Sequence, residues 1–262
     1  MPFKDETVSV RDGMFSVHVR RAGSGEPLVF LHGAGGQNAI EPWMETLARK
    51  YDVIVPEHPG WGSSTGIDHL DDVIDMALFY HDLFDALGLA SVNLMGNSFG
   101  GMLAAEISAL SPSYVRKLVL VDAAGLWSDE APLPDYFIMT PGELAQALWA
   151  DPEAAAARLP QVDPEDREAQ ARAMLTREKA MSAAGKFIWP IPDKGLKKRI
   201  HRIKAPTLIV WGEKDGLIPP IYGLLFQKSI RTAKLVTIPN AGHVPMVEQP
   251  DAFVQAVTAF LA

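Results

Sequence analysis

The chain contains no cysteine among its 262 residues. Disulfides, thiolate metal sites and cysteine nucleophiles are therefore excluded. An excess of positive charge is also missing: 24 Lys and Arg stand against 32 Asp and Glu, for a net charge of −8. With no basic block either, nucleic acid and anionic membrane surfaces are not the expected partners. No apolar run approaches the length of about eighteen residues that a membrane span requires. The first residues, "MPFKDETVSVRDGMF", carry no apolar signal core, so a cytoplasmic location is the expectation. Internal repeats and low-complexity tracts are likewise absent. What the chain does have is 48% hydrophobic residues, enough for one large domain or a domain with an inserted subdomain.

The apolar pattern alternates between two periods. "MFSVHVRRAGSGEPLVFLHG" from Met14 reads as two strands joined by a Gly/Ser turn, and "YDVIVPE" as another. From Asp68, a candidate cap, Leu70, Val73, Ile74, Ala77, Leu78, Phe84 and Leu87 fall at helical spacing up to Gly88. A strand at 91–95, a helix at 99–110 and a strand at 115–125 follow. Later come "APTLIVWGEKD", a helix near 219–230, "AKLVTIPNAGH" and a final helix from Pro250. Strand and helix in alternation predict a mostly parallel, doubly wound α/β sheet covered on both faces.

Between 126 and 193 the alternation stops. This segment is expected to be a helical lid inserted into a core formed by residues 1–125 and 194–262. Three helix starts are legible in it: Thr140 with Glu143 as a capping box, and Asp151-Pro152 and Asp163-Pro164 as Asp caps followed by Pro. Its 12 acidic and 6 basic residues hold −6 of the net charge, most of it expected on a solvated outer face.

The chemistry begins at "SVNLMGNSFGGMLAAEISAL", residues 91–110. A serine between glycines, where a strand turns sharply into a helix, is pushed out of the sheet toward unsatisfied N–H groups and the positive helix end. Ser98 is thus the candidate nucleophile, and a serine hydroxyl needs a base oriented by a third group. Of seven histidines, His243 lies on a loop directly after an apolar strand. His32 and His58, also near strand ends, are weaker candidates. Asp215, ending the strand of "LIVWGEKD", is the expected orienting acid, with Asp122 after "KLVLV" its rival. Parallel strands bring their C-terminal ends to one edge, where open α/β sheets bind ligands. For the oxyanion, Phe99 N–H follows the nucleophile, and "LVFLHGAGG" offers Ala34 N–H, with Gly35 second. The latter loop lacks the Lys-Ser/Thr of a phosphate loop and the GxGxxG of a dinucleotide fold.

In order along the chain, "LVFLHGAGG", "HPGWGSS", "MGNSFGG", "PTLIVWGEKD" and "AGHVPMVEQP" resemble the α/β-hydrolase fold over essentially its whole length. "GNSFGG" behind a Gly-rich HG loop is similar to serine carboxylesterases and to meta-cleavage-product hydrolases, which cut carbon–carbon bonds of vinylogous diketone acids. Ser98 departs from haloalkane dehalogenases and epoxide hydrolases, which place aspartate there. Val244 stands where meta-cleavage hydrolases often carry an aromatic residue after the histidine. Asn38 and Asn97 resemble asparagines near that family's site.

The expected activity is hydrolysis of small-molecule carboxylic esters of short to medium acyl chain through an acyl-enzyme, with no metal or organic cofactor. Carbon–carbon hydrolase, haloperoxidase-like perhydrolase and non-catalytic ligand receptor are the alternatives. Gly35, Asn38, Asn97, Trp149, Trp189 and Val244 are candidate substrate contacts. Arg158, Arg167, Arg172 and Arg177 are the lid cations that an anionic substrate would need, unless they pair with acids at helical spacing, as Asp163 with Arg167 and Glu168 with Arg172. Oligomeric state is not legible.

Overall fold

The computed structural model describes residues 2–262 except 38, 159–162, 164 and 192, and leaves the side chains of 157 and 158 undescribed. Eight strands form one sheet in the order β1-β2-β4-β3-β5-β6-β7-β8. These are β1 Lys4–Val10, β2 Phe15–Gly23, β3 Pro27–Leu31, β4 Asp52–Pro56, β5 Val92–Asn97, β6 Val115–Val121, β7 Thr207–Gly212 and β8 Ala233–Ile238. β1, β2 and β4 pair antiparallel, and every other pairing is parallel. The helices are α1 Pro42–Leu47, α2 Val73–Ala86, α3 Phe99–Leu110, α4 Pro141–Leu148, α5 Pro152–Arg158, α6 Arg167–Ile188, α7 Ile221–Ser229, α8 Pro245–Glu248 and α9 Pro250–Leu261.

The period of two along each strand divides the core. On β6, Leu118 and Leu120 point to the layer of α2, α3 and α7, with Phe84, Leu103 and Phe226. Val119 and Val121 point to the layer of α1 and α9, with Trp43, Leu47 and Phe253. Because both faces are covered, β4, β5 and β7 are buried along their whole length and read as continuous apolar runs.

Several expectations are refined. The 14-residue helix α2 starts after Asp72, whose carboxylate accepts from Ile74 N–H at 2.7 Å and Asp75 N–H at 3.0 Å. Asp68 instead lies in a single 3-10 turn, Ile67–His69, because an isolated turn between Gly66 and Leu70 precedes the apolar period. Strand β6 stops at Val121 rather than 125. Strand β1 and helices α1 and α8 were not expected.

Between β6 and β7 the described residues form α4, α5 and α6 and no strand. The capping box is present, with Thr140 N–H donating to Glu143 at 2.8 Å and Glu143 N–H to Thr140 Oγ1 at 3.3 Å. Asp151 caps α5 through Ala154 N–H at 2.9 Å. The third start is displaced: Pro164 lies outside the described residues, and α6 begins after Asp166, which accepts from Ala169 N–H at 2.9 Å. None of the described helices is long and apolar enough to cross a membrane.

Candidate active site

Ser98 sits between β5 and α3 at φ 55°, ψ −116°, a sparsely populated conformation that costs about 1–3 kcal/mol unless the surroundings enforce it. They do. Ser98 N–H donates to Val121 O, and Ser98 O accepts from Met102 and Ala124 N–H, each at 3.0 Å. The flanking glycines are obligatory, since a Cβ on Gly96 would lie 2.2 Å from Gly100 O and one on Gly100 2.0 Å from Leu31 O. Phe99, the first residue of α3, has an N–H that no helical carbonyl uses.

His243 and Asp215 meet in the buried interior. The imidazole Nδ1 lies 2.8 Å from Asp215 Oδ2, and Asp215 Oδ1 accepts from Leu217 and Ile218 N–H, both at 2.9 Å. With Nδ1 so engaged, the neutral ring keeps its lone pair at Nε2, which has no partner among the described residues. Asp122 is fully buried at the same edge and accepts from Gly212 N–H at 2.8 Å. It does not displace Asp215 as the partner of Nδ1.

The two weaker histidine candidates form a scaffold under the glycine-rich loop after β3. His32 Nδ1 donates to Gly33 O at 2.8 Å, while its Nε2 accepts from His58 N–H at 3.2 Å. His58 Nε2 donates to His32 O at 2.9 Å, and its Nδ1 accepts from the Tyr80 hydroxyl. Burial lowers the pKa of His32 to about 4 and pushes that of His58 well down, so both rings are neutral, as this donor pattern requires. Trp61 Nε1–H donates to Ala34 O at 2.8 Å, and Trp61 stacks on Phe99 at 5.6 Å. The turn bond Gly36 N–H to Gly33 O, 3.0 Å, leaves the N–H groups of Ala34 and Gly35 without a partner among the described residues.

Ser98, His243, Ala34, Gly35, Phe99, Asn97 and Val244 line one cavity of about 710 Å³. The segment between β6 and β7 contributes Leu133, Tyr136, Leu144, Leu148, Met181 and Ile188 to it, so its wall is largely apolar. Asn97 uses its amide on backbone, donating to Val121 O and His243 O at 3.2 Å each, and thereby ties β5 to the histidine loop. The tryptophans depart from expectation. Trp149 lines an adjoining cavity of about 620 Å³ that shares Ala39, Glu41, Trp43, Met246 and Val247 with the first, and Trp189 is half exposed, edge-on to Phe137 and away from both cavities. Asn38 lies outside the described residues.

The described arginines of the insert, Arg167, Arg172 and Arg177, do not line the cavity either. Arg167, Arg172 and Arg177 are exposed on α6; Arg172 pairs with Glu168 as expected, and Arg177 with Glu178 at 3.4 Å. The expected pair of Asp163 with Arg167 is not formed, and Asp163 accepts from Glu165 N–H at 2.8 Å instead. The side chain of Arg158 is outside the described part. Among the described residues the cation that lines the cavity is Lys194, beyond the insert, whose pKa burial lowers. Its ammonium has no acid partner among the described residues. Nothing in its local sequence signals this, because the approach depends on how 188–196 packs.

The insert is joined to the loops of the acid and the base. Gly216 N–H donates to Ala147 O at 3.0 Å and His243 N–H to Leu148 O at 2.7 Å, while Ala150 N–H donates to Glu248 at 2.9 Å.

A serine on a strand-to-helix elbow, a histidine held by a buried carboxylate and a glycine-rich loop lie together at one sheet edge, the parts that a serine hydrolase would need. The chain belongs to the alpha/beta hydrolase family, whose model matches residues 28–256. It is 31% identical over 248 residues to Lipase 1 of Psychrobacter immobilis, covering 90% of this chain and 77% of that protein. It is 32% identical over 273 residues to the 2-hydroxy-6-oxononadienedioate/2-hydroxy-6-oxononatrienedioate hydrolase of Klebsiella pneumoniae, covering 94% and 91%. Among solved structures, a bacterial membrane phospholipase A superposes with a TM-score of 0.81 at 24% identity, covering 99% of this chain and 86% of the other.

Proposed function

We propose that the protein is a serine carboxylesterase acting on esters of short to medium acyl chain. The observation that carries the reading is the buried His243–Asp215 pair, 2.8 Å, with Nε2 unpartnered beside the cavity that Ser98 also lines. Ser98 Oγ attacks the ester carbonyl and His243 Nε2 takes its proton. The N–H groups of Phe99 and Ala34 stabilise the oxyanion, and the imidazolium returns the proton to the departing alkoxide. His243 then deprotonates a water that attacks the acyl-enzyme, and Ser98 leaves with that proton. Residues 126–193 act as the lid, and their apolar side chains select acyl and alcohol size.

A second reading, hydrolysis of a vinylogous diketone acid, is favoured by Lys194, an unpaired cation in the wall of the cavity. Against it stands the strongly acidic insert, whose field slows the approach of anions. The test is kcat/KM on p-nitrophenyl esters of increasing acyl length beside a dienoic diketone acid. Esters are expected to be preferred, and Ser98→Ala to lose on the order of 10⁴ to 10⁶ in kcat with the fold intact. Retention of more than about a tenth of the activity by that variant refutes the nucleophile assignment. A hundredfold preference for the diketone acid that Lys194→Met removes would establish the second reading.

A further inference from the structure

Asp122 plays no part in the mechanism above, yet its surroundings are those of a functional group. It is fully buried, its backbone is held at φ 43°, and its Oδ2 receives no N–H or O–H donor among the described residues. One oxygen of Asp122, one of Asp215 and one ring nitrogen of His243 lie within 4.8 Å of one another. Ionising Asp122 as well would set a second negative charge beside that of Asp215 in a buried site, which like-charge repulsion and desolvation both disfavour. Asp215 is the one supported as an anion, by two N–H donors and the imidazole. Asp122 has the single donor Gly212 N–H.

We propose that Asp122 is a positioning residue, held as a carboxylic acid that donates its proton to Asp215, so that the pair presents one negative charge to His243. Burial first, and then the charge of Asp215, push the Asp122 pKa well up. The groups facing it are Asp215 after β7, His243 after β8 and Glu248 on α8. Glu248 is itself occupied by the N–H groups of Ala150 and Gly242. The neutral acid fixes the Asp215 carboxylate in the plane that meets Nδ1, and it adds no second charge that would over-stabilise the imidazolium.

The kinetic arm rests on the serine-hydrolase reading; the spectroscopic arm does not. Infrared difference spectra of the resting protein at neutral pH, wild type minus Asp122→Asn, are expected to show a protonated-carboxyl stretch present only in wild type. In esterase assays Asp122→Asn, which keeps an N–H donor toward Asp215 and an acceptor for Gly212, should stay within about threefold of wild-type kcat. Asp122→Ala should lose about tenfold or more in kcat at unchanged KM. Absence of the carboxyl stretch overturns the proposal, as does a fall of Asp122→Asn by several orders of magnitude, the behaviour expected of Asp215→Asn. If Asp122→Ala does not fold, the infrared band and the Asn variant decide. A band without any esterase activity would sustain the acid pair and refute the esterase reading alone.

Discussion

The ion pair of half-buried Arg199 with buried Glu106 ties the helix behind the candidate nucleophile to the segment that leads out of the insert, and Arg199→Ala tests what that tie is worth. Glu106 on α3 is fully buried, and Arg199 holds both of its oxygens, at 2.7 Å from Nε and 2.6 Å from an Nη. Removing the guanidinium leaves a carboxylate buried among apolar side chains with no counter-charge, a loss of about 3–5 kcal/mol. For a chain of this size each kcal/mol moves Tm by about 2–4 °C, so the variant should melt about 6–20 °C lower. Urea unfolding of wild type, Arg199→Met, Glu106→Leu and the double variant measures the coupling directly. The double variant should recover most of the loss, because a well-packed apolar pair of similar volume replaces the ion pair at little or no cost. A single variant destabilised by less than about 1 kcal/mol, or a double variant no more stable than Arg199→Met, would show that the charge on Glu106 is not what the arginine sustains.

Two further outcomes follow from the histidine scaffold and the oxyanion loop. His32 titrates at about 4 in the folded state against an ordinary 6.5, so the unfolded chain binds the extra proton first. Its contribution is therefore full above pH 6.5 and is lost as pH falls toward 4, on the order of 3 kcal/mol, with His58 adding in the same direction. Stability measured by urea unfolding from pH 7 to 4 should fall accordingly, and a flat profile would contradict neutral buried rings. Trp61→Phe keeps the stack on Phe99 but removes the N–H that holds Ala34 O; kcat should fall about tenfold to a hundredfold with KM little changed. An unchanged kcat would show that Ala34 is not an oxyanion donor.

The residues legible in the sequence are those whose position follows from strand direction. Ser98 and Asp122 directly follow parallel strands, and Asp215 and His243 lie in the loops after β7 and β8, so one edge must collect them. Strand β1, "KDETVSV", is not legible in the sequence because an exposed antiparallel edge strand carries no apolar run. Asp68 and Asp72 are equally good caps on paper, and only the intervening 3-10 turn separates them. His32 and His58 look like ordinary loop histidines, since their partners lie 26 and 22 residues away in sequence. Lys194, Trp149 and Trp189 show the same limit from the other side. Which side chains enter a cavity is decided by how non-periodic segments pack, and residue type alone does not tell that Trp189 faces outward, that Trp149 lines the adjoining cavity or that Lys194 lines the first.

The carbonyls of Ala147 and Leu148 have a consequence for how modular the insert is. Although they belong to it by chain order, they hold the loops of Asp215 and His243 in place. Exchanging 126–193 for the insert of a relative would therefore replace two of the supports of the candidate acid and base together with the specificity wall. The transplantable unit is the shorter stretch after Ala150, carrying α5 and α6. The turn at 147–150 is by its contacts part of the core, bonded to Gly216, His243 and Glu248.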